Sequence, residues 1–482
     1  RQETGRKEFY SAQYEVATYV EDLMQELNGE QFKESVNSLW QAFQELSTKP
    51  AISTNQNLVL QKAELLVTRS QSIYSDLKSY QSNINQQIKD DVDRVNEIGN
   101  RVYELNLKIQ KVEAGGVETA MTLRDERDSL LDELGQYGRM DVTEDATGFC
   151  FVDFEGVRFI DDHRCNNIGL NSAKGTGFYT PYWPQQSDAA NEKYVSVFRL
   201  EDEISTEMNT DIGGIKSKLL ARGDRYGVAS DLTTNEAYDK VSRSTVMEVE
   251  AQIDTLFSRI VKAMNDVYCP NVESKDAITS VDGTVYPAGT KILDADNCAR
   301  GVDGKLPPRE LFTRVGVDRY TEVTGMDGKT YYIYNEEDPN NTSTMYSIGS
   351  VSINSDLKRQ ITLMPAYTAN GAVDYDFGHR LANAWNVKDM VLSPDDQKPC
   401  TFEEYYDKVV SQLGIIGNTY QSATETMEGT VSSVDNKRQQ VIGVSSDEEL
   451  TYMIKFQSAY NAASRFMNVI NEMTELIVTG LK

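Results

Sequence analysis

The longest regular pattern in the chain is a run of apolar positions at Leu66, Ile73, Leu77, Tyr80, Ile84, Ile88, Val95, Ile98, Val102, Leu105, Ile109 and Val112. They recur at spacings of three, four or seven over several heptads with no proline between them, which predicts one helix from about Asn57 to Glu113, roughly 85 Å long at 1.5 Å per residue. Before it, Phe9 to Leu46 predicts two helices. Tyr14, Tyr19, Leu23 and Leu27 mark one apolar face, and Phe32, Val36, Leu39, Trp40 and Phe43 mark the other. Asn28-Gly29 supplies the break between them, and Lys49-Pro50 stops the second. Gly115-Gly116 ends the long helix, and a shorter one runs from Thr119 to Leu134.

From Met140 to about Met208 the period changes to two, as in Phe151-Val152-Asp153-Phe154 and Val157-Arg158-Phe159-Ile160 on either side of the turn-forming Glu155-Gly156. Helical spacing returns at Val246, Val249, Ile253, Leu256, Ile260, Met264 and Val267. Between Cys269 and Met364, Asp282-Gly283, Asp303-Gly304 and Asp327-Gly328 with Tyr331-Tyr332-Ile333-Tyr334 predict hairpins. A helix begins at Phe402, and after Gly443 another carries Leu450, Met453, Phe456, Tyr460, Ala463, Met467, Ile470, Ile477 and Leu481 on an apolar stripe.

The order helices, strands, helix, strands, helices predicts a multidomain α+β protein: an elongated helical coiled-coil or bundle domain built from both chain ends, with β-rich inserted domains. The expected division is 1–139 as the N-terminal part of the helical core, 140–208 as a β-rich insert, and 209–268 as a helical return segment. A second β-rich region follows at 269–400, then the C-terminal part of the core with a terminal assembly helix at 401–482. The long helix can pair within its own chain or lie against a neighbouring subunit. The terminal stripe has no evident partner in the chain, so those nine residues are the expected assembly interface.

Composition narrows the partners. At 482 residues the chain exceeds the growth of a single core. With 39% hydrophobic residues, 26% charged and 11 prolines it is a folding sequence. A formal charge of −27 disfavours nucleic acid and anionic membrane surfaces as partners. There is no run of 18 apolar residues, and Arg1 to Tyr10 is too polar for the core of a cleaved signal peptide.

The chain offers little that would serve catalysis. Cys150, Cys165, Cys269, Cys298 and Cys400 are odd in number and form no C-x-x-C pair, and two histidines, His163 and His379, cannot build a multi-histidine metal centre. Asp125, Asp128 and Asp132 with Arg124 and Arg127 predict a solvated or salt-bridged helix face. Asp294-x-Asp296-Asn297 is spaced like the start of a calcium loop, but Cys298 stands where an oxygen ligand belongs. Gly213-Gly214 lacks the G-K-[ST] ending of a phosphate loop and predicts a turn into a helix. Asp161, Asp162, His163 and Cys165 are the one carboxylate, imidazole and thiol constellation, expected to be a loop. No catalytic, cofactor or metal site is therefore expected, and the protein is read as not an enzyme.

Four blocks carry a resemblance. They are Asp125-Glu126-Arg127-Asp128-Ser129-Leu130-Leu131-Asp132-Glu133-Leu134, Gly213-Gly214-Ile215-Lys216-Ser217-Lys218-Leu219-Leu220-Ala221-Arg222-Gly223-Asp224, Gly443-Val444-Ser445-Ser446-Asp447-Glu448-Glu449, and Phe456-Gln457-Ser458-Ala459-Tyr460-Asn461-Ala462-Ala463-Ser464-Arg465. In this order they resemble the flagellar hook-associated protein 1 (FlgK) family. The resemblance implies a structural subunit of the bacterial flagellum, extracellular at the hook–filament junction and exported by the type III route without a cleaved signal peptide. The implied partners are further copies of itself in a ring, the hook protein, the second hook-associated protein and an export chaperone, with no nucleic acid, membrane or cofactor. The family also begins with a helical, Asn-rich segment that does not precede Arg1, so Arg1 is expected to lie inside a longer natural protein. The other reading left open by the residues is a secreted, extended adhesin-like protein whose β domains bind a ligand.

Overall fold

The computed structural model describes residues 1–25, 32–115, 119–339, 341–442 and 446–480. The helices are α1 (Gln2–Gln25), α2 (Phe32–Thr48), α3 (Ser53–Glu113), α4 (Met121–Tyr137), α5 (Gly214–Arg222), α6 (Asn235–Val241), α7 (Thr245–Tyr268), α8 (Ser355–Arg359), α9 (Asp376–Trp385), α10 (Phe402–Ile442) and α11 (Ser446–Gly480). The Asn28-Gly29 break, Leu27 and Gly116 lie outside the described residues. Packing divides the chain into two compact units, 1–424 and 425–482. Besides two smaller clusters around Leu232 and Ile278, the first unit has one largest hydrophobic core, which runs through four of the five segments expected from the sequence and into the fifth.

That core is organised on α3. Its 61 residues span about 92 Å, and Leu66, Ile73, Leu77, Ile84, Ile88, Val95, Ile98, Val102, Leu105 and Ile109 are all buried. Two positions of the predicted stripe differ: Val112 is exposed, and Tyr80 is partly buried with its ring stacked on Tyr19, centroids 3.8 Å apart.

The buried face of α1 is not the tyrosine face expected. Phe9, Val16, Val20 and Met24 point inward, while Tyr19 is exposed. Phe32, Val36, Leu39 and Phe43 of α2 are buried as expected. There α2 meets α9 and the start of α10: Phe43 packs edge-on against Trp385, Trp385 against Phe402, and Phe32 against Tyr406. The Tyr406 hydroxyl donates to the Met24 carbonyl at 2.6 Å, and Lys33 pairs with Asp407 at 2.6 Å. Residues from both ends of the chain thus close one helical core.

The first β-rich insert consists of a meander, β1 (Met140–Glu144), β2 (Cys150–Phe154) and β3 (Val157–Ile160), and a hairpin, β4 (Gly169–Ser172) with β5 (Tyr179–Tyr182). Glu155 and Gly156 both adopt positive φ, 50° and 78°, as a tight two-residue hairpin requires. The second insert holds β6 (Asn271–Glu273), β7 (Ile278–Thr279), β8 (Val285–Tyr286), β9 (Lys291–Leu293), β10 (Phe312–Arg314), β11 (Tyr320–Thr324), β12 (Thr330–Tyr334) and β13 (Val351–Ile353). Its main sheet has the order β11-β12-β9-β6. Asp282-Gly283 and Asp327-Gly328 turn hairpins β7–β8 and β11–β12. Asp303-Gly304 instead turns a loop, where Gly304 N–H donates to the Gly301 carbonyl.

One residue of the Asp125–Leu134 block lies deeper than the expected solvated or salt-bridged face. Asp125 and Asp128 are exposed and Asp128 and Asp132 pair with Arg1, but Arg127 is buried. It donates to Asn106 Oδ1 at 3.0 Å and the Gly148 carbonyl at 2.7 Å, and pairs with Glu144 at 2.7 Å. It ties α4, α3 and the β1–β2 turn together. Arg127→Leu, which strands those acceptors, is expected to cost about 3 kcal/mol in chemical denaturation of the full chain, with Arg127→Lys recovering part; a loss below about 1 kcal/mol would show that the network is dispensable.

Candidate assembly surface

Within the second unit, every side chain of α11 among the described residues is exposed to solvent. Of the nine residues expected to form the assembly stripe, Leu450, Met453, Phe456, Tyr460, Ala463, Met467, Ile470 and Ile477 are exposed on this helix, Phe456 at 69% and Tyr460 at 74%. Leu481 lies outside the described residues. At about 100° per residue, the positions from Met453 to Ile477 fall within one broad arc, while Leu450 falls within the polar arc of Gln457, Asn461, Asn468, Glu472 and Glu475.

The apolar surface is wider than the 3-4 spacing predicted. Tyr452, Phe466, Val469, Met473, Leu476 and Val478 are exposed as well, and they extend the stripe around more than half of the helix. Counting apolar positions off the heptad would have found them. The hydroxyls of Thr451, Thr474 and Thr479 bond back to carbonyls four residues earlier. A helix with this much large apolar side chain in water gains nothing from burial, and most helical stability in proteins comes from packing such a face. Contiguous exposed apolar area on this scale marks a surface built to be covered.

The other candidate groups are absorbed by local structure. Asp161 Oδ1 accepts from the backbone N–H groups of His163 and Arg164, and its Oδ2 from Asn166 Nδ2. Burial pushes the Cys165 thiol up to about 12, so it stays protonated rather than nucleophilic. The Asp294 carboxylate accepts from the backbone and side-chain nitrogens of Asn297, and Cys298 is buried. All five cysteines are free. Gly213 starts α5 with φ +97°, and a Cβ there would lie 2.5 Å from Gly138 Cα and 2.6 Å from the Tyr137 carbonyl. Gly213 thus serves a crossing of three chain segments.

Residues 17–274 match the family model described as the flagellar hook-associated protein FlgK helical domain. The chain belongs to the FlgK family. It is 24% identical over 483 residues to flagellar hook-associated protein 1 of Bacillus subtilis (strain 168), covering 98% of this chain and 81% of that one. Its fold is similar to the flagellar hook junction protein FlgK from Burkholderia pseudomallei, with a TM-score of 0.57 at 11% identity over 92% of this chain and 99% of the other.

The family match contains α3, α4, the first β-rich insert, α5 and α7, hence the Asp125 and Gly213 blocks. It enters the second insert only as far as β6 and ends before α11. Of the two remaining blocks, the residues from 456 to 465 lie on α11, and Gly443-Val444-Ser445 lies outside the described residues.

Proposed function

We propose that this chain is a structural subunit of the bacterial flagellum at the hook–filament junction, without catalytic activity, and that it polymerises by packing its helices against neighbours. The observation that carries this reading is the FlgK-family match over 17–274, supported by the similarity of 98% of the chain to a hook-associated protein 1. The proposed assembly interface is the α11 surface built from Leu450, Met453, Phe456, Tyr460, Ala463, Met467, Ile470 and Ile477, with Leu481 continuing it. Its proposed partners are other copies of the chain in a ring, the hook protein, the second hook-associated protein and, before export, a chaperone. A charge of −27 fits an extracellular assembly that stays soluble until its apolar faces meet. The segments 140–208 and 269–400 are proposed as domains carried on the helical core.

The test is deletion of the gene in its own host, followed by electron microscopy of the cell surface. Cells are expected to make hooks without attached filaments and to release filament protein into the medium, and the full gene should restore filaments. Full-length filaments on the deletion strain would sink the junction role.

A further inference from the structure

A segment of the first unit is held in place by two buried acids. Residues 223–232 follow α5 and pack on α7, and their backbone runs directly against that helix: a Cβ on Gly227 would fall 2.1 Å from the Met247 carbonyl oxygen. The contacts that seat this segment are backbone N–H groups donating to carboxylates. Gly227 N–H donates to Glu250 Oε2 at 2.6 Å, and Ala229 N–H to Asp254 Oδ2 at 3.0 Å. The other oxygen of Asp254 accepts from Ile348 N–H at 2.8 Å, so the second β-rich insert is tied to the same point. Tyr74 on α3 adds a hydroxyl donated to the Gly227 carbonyl at 3.0 Å.

Glu250 and Asp254 are one helical turn apart on the same face of α7, and both are buried. Neither has a lysine or arginine ion-pair partner among the described residues. The cations nearby are engaged elsewhere: Lys78 of α3 lies over the rings of Tyr74 and Tyr226, 4.2 and 4.7 Å from their centroids. Arg225 of the segment makes a bidentate pair with Asp231, at 2.9 and 2.8 Å. Glu250 Oε1 is buried with no hydrogen-bond partner. Two buried carboxylates a turn apart with a third, Asp231, close by cannot all carry charge cheaply.

We propose that Glu250 and Asp254 share a proton that latches the 223–232 segment onto α7, and that losing this proton releases the segment. With one proton between them, the pair presents acceptors to Gly227, Ala229 and Ile348 at the cost of a single buried charge. Without it, a second charge sits beside an oxygen that nothing solvates, and opening the segment to water is the available relief. Burial raises the Glu250 carboxyl to about 8 and raises Asp254 as well; the proximity of Asp254 and Asp231 adds to the shift of Glu250, while Lys78 and the Gly227 N–H oppose it. A folded value raised above the unfolded one means that this group's contribution to stability is full below about 4.5, falls as pH rises from there, and is lost by about 8.

Hydrogen exchange of the full chain, corrected for intrinsic rates, tests the latch at pH 6.5 and 9. Peptides covering 223–232 are expected to lose at least about tenfold more protection at pH 9 than peptides from the middle of α3, and Glu250→Gln is expected to remove that difference. Equal protection at both pH values, or undiminished pH dependence in Glu250→Gln, overturns the proposal. Difference infrared spectroscopy of the unaltered chain covers the case in which the variant does not fold. A carbonyl stretch from a protonated buried carboxyl should be present at pH 7 and vanish with a midpoint near 8; its absence at pH 7 also overturns the latch.

Discussion

Replacing Gly213 by alanine should destabilise the first unit by about 4 kcal/mol or more, while the same change at its neighbour Gly214 should be neutral or slightly stabilising. Gly213 joins three segments. Its N–H donates to the Gly5 carbonyl of α1 at 3.0 Å, its carbonyl accepts from Ser217 N–H in the first turn of α5, and its Cα passes the link between α4 and β1. A methyl group there would overlap Gly138 Cα, the Tyr137 carbonyl and Gly138 N, all within 2.9 Å. These are backbone atoms, which cannot rotate away as a side chain would. The φ of +97° adds a conformational penalty for any residue with a Cβ.

At Gly214 the nearest atom to an added Cβ is the Gln136 carbonyl at 3.5 Å, an ordinary contact, and alanine favours the helix it begins. The expected melting temperatures therefore separate by about 4–5 °C, because an unfolding entropy of about 2.1 cal/mol/K per residue summed over the first unit, residues 1–424, gives roughly 1 °C per kcal/mol. Calorimetry on the full chain decides it. Two variants that melt together would show that the crossing relaxes at little cost and that the tight approach is not what this part of the family block preserves.

How much of this was legible depended on whether a position spoke through periodicity. The register of α3 was readable because its heptads run unbroken for twelve apolar positions, and the face of α2 because large side chains alone define it. The face of α1 misled because its inward positions include small and polar residues: Arg6 is buried against Asp211 at 3.1 Å, and buried Gln13 donates to the Ser217 carbonyl at 3.0 Å. Tyrosines on the outer face then looked more apolar than the face that packs.

The same limit hid the two acids of the latch. Between Thr245 and Asp254 α7 is buried all round, so Glu248, Glu250, Gln252 and Asp254 lie inside although their spacing suggests a solvated side. Arg127 was hidden in a similar way among carboxylates. The topology of the second insert was beyond reach for another reason. Strands of two or three residues such as β6, β7, β8 and β9 carry no period-2 signal, and the pairing of β9 with both β6 and β12 joins distant parts of the chain. The α11 stripe was visible, but only its central seam; its flanks at Phe466, Met473 and Leu476 break the 3-4 spacing.

Those flanks bear on what a charge in the stripe should do. Tyr460→Asp or Met467→Asp places a carboxylate within the predicted apolar stripe, where a partner that covers the stripe must desolvate it. Burying an unpaired carboxylate costs several kcal/mol at least, and a cost of about 4 kcal/mol corresponds to roughly a thousandfold loss in association. Asn461→Asp adds the same charge on the opposite, polar arc and should be tolerated. Because the substituted side chains are exposed on a helix in the second unit, denaturation of the first unit should be unchanged in all three variants, which separates failed assembly from failed folding. The measurement is the amount of each variant recovered in purified flagella from the gene-deletion host, beside the amount secreted. Tyr460→Asp and Met467→Asp are expected in the medium but not in the flagellum, and Asn461→Asp in both. Incorporation of all three at the level of the unaltered chain would remove α11 as the assembly surface, because no packed helix interface absorbs an unpaired buried carboxylate without loss.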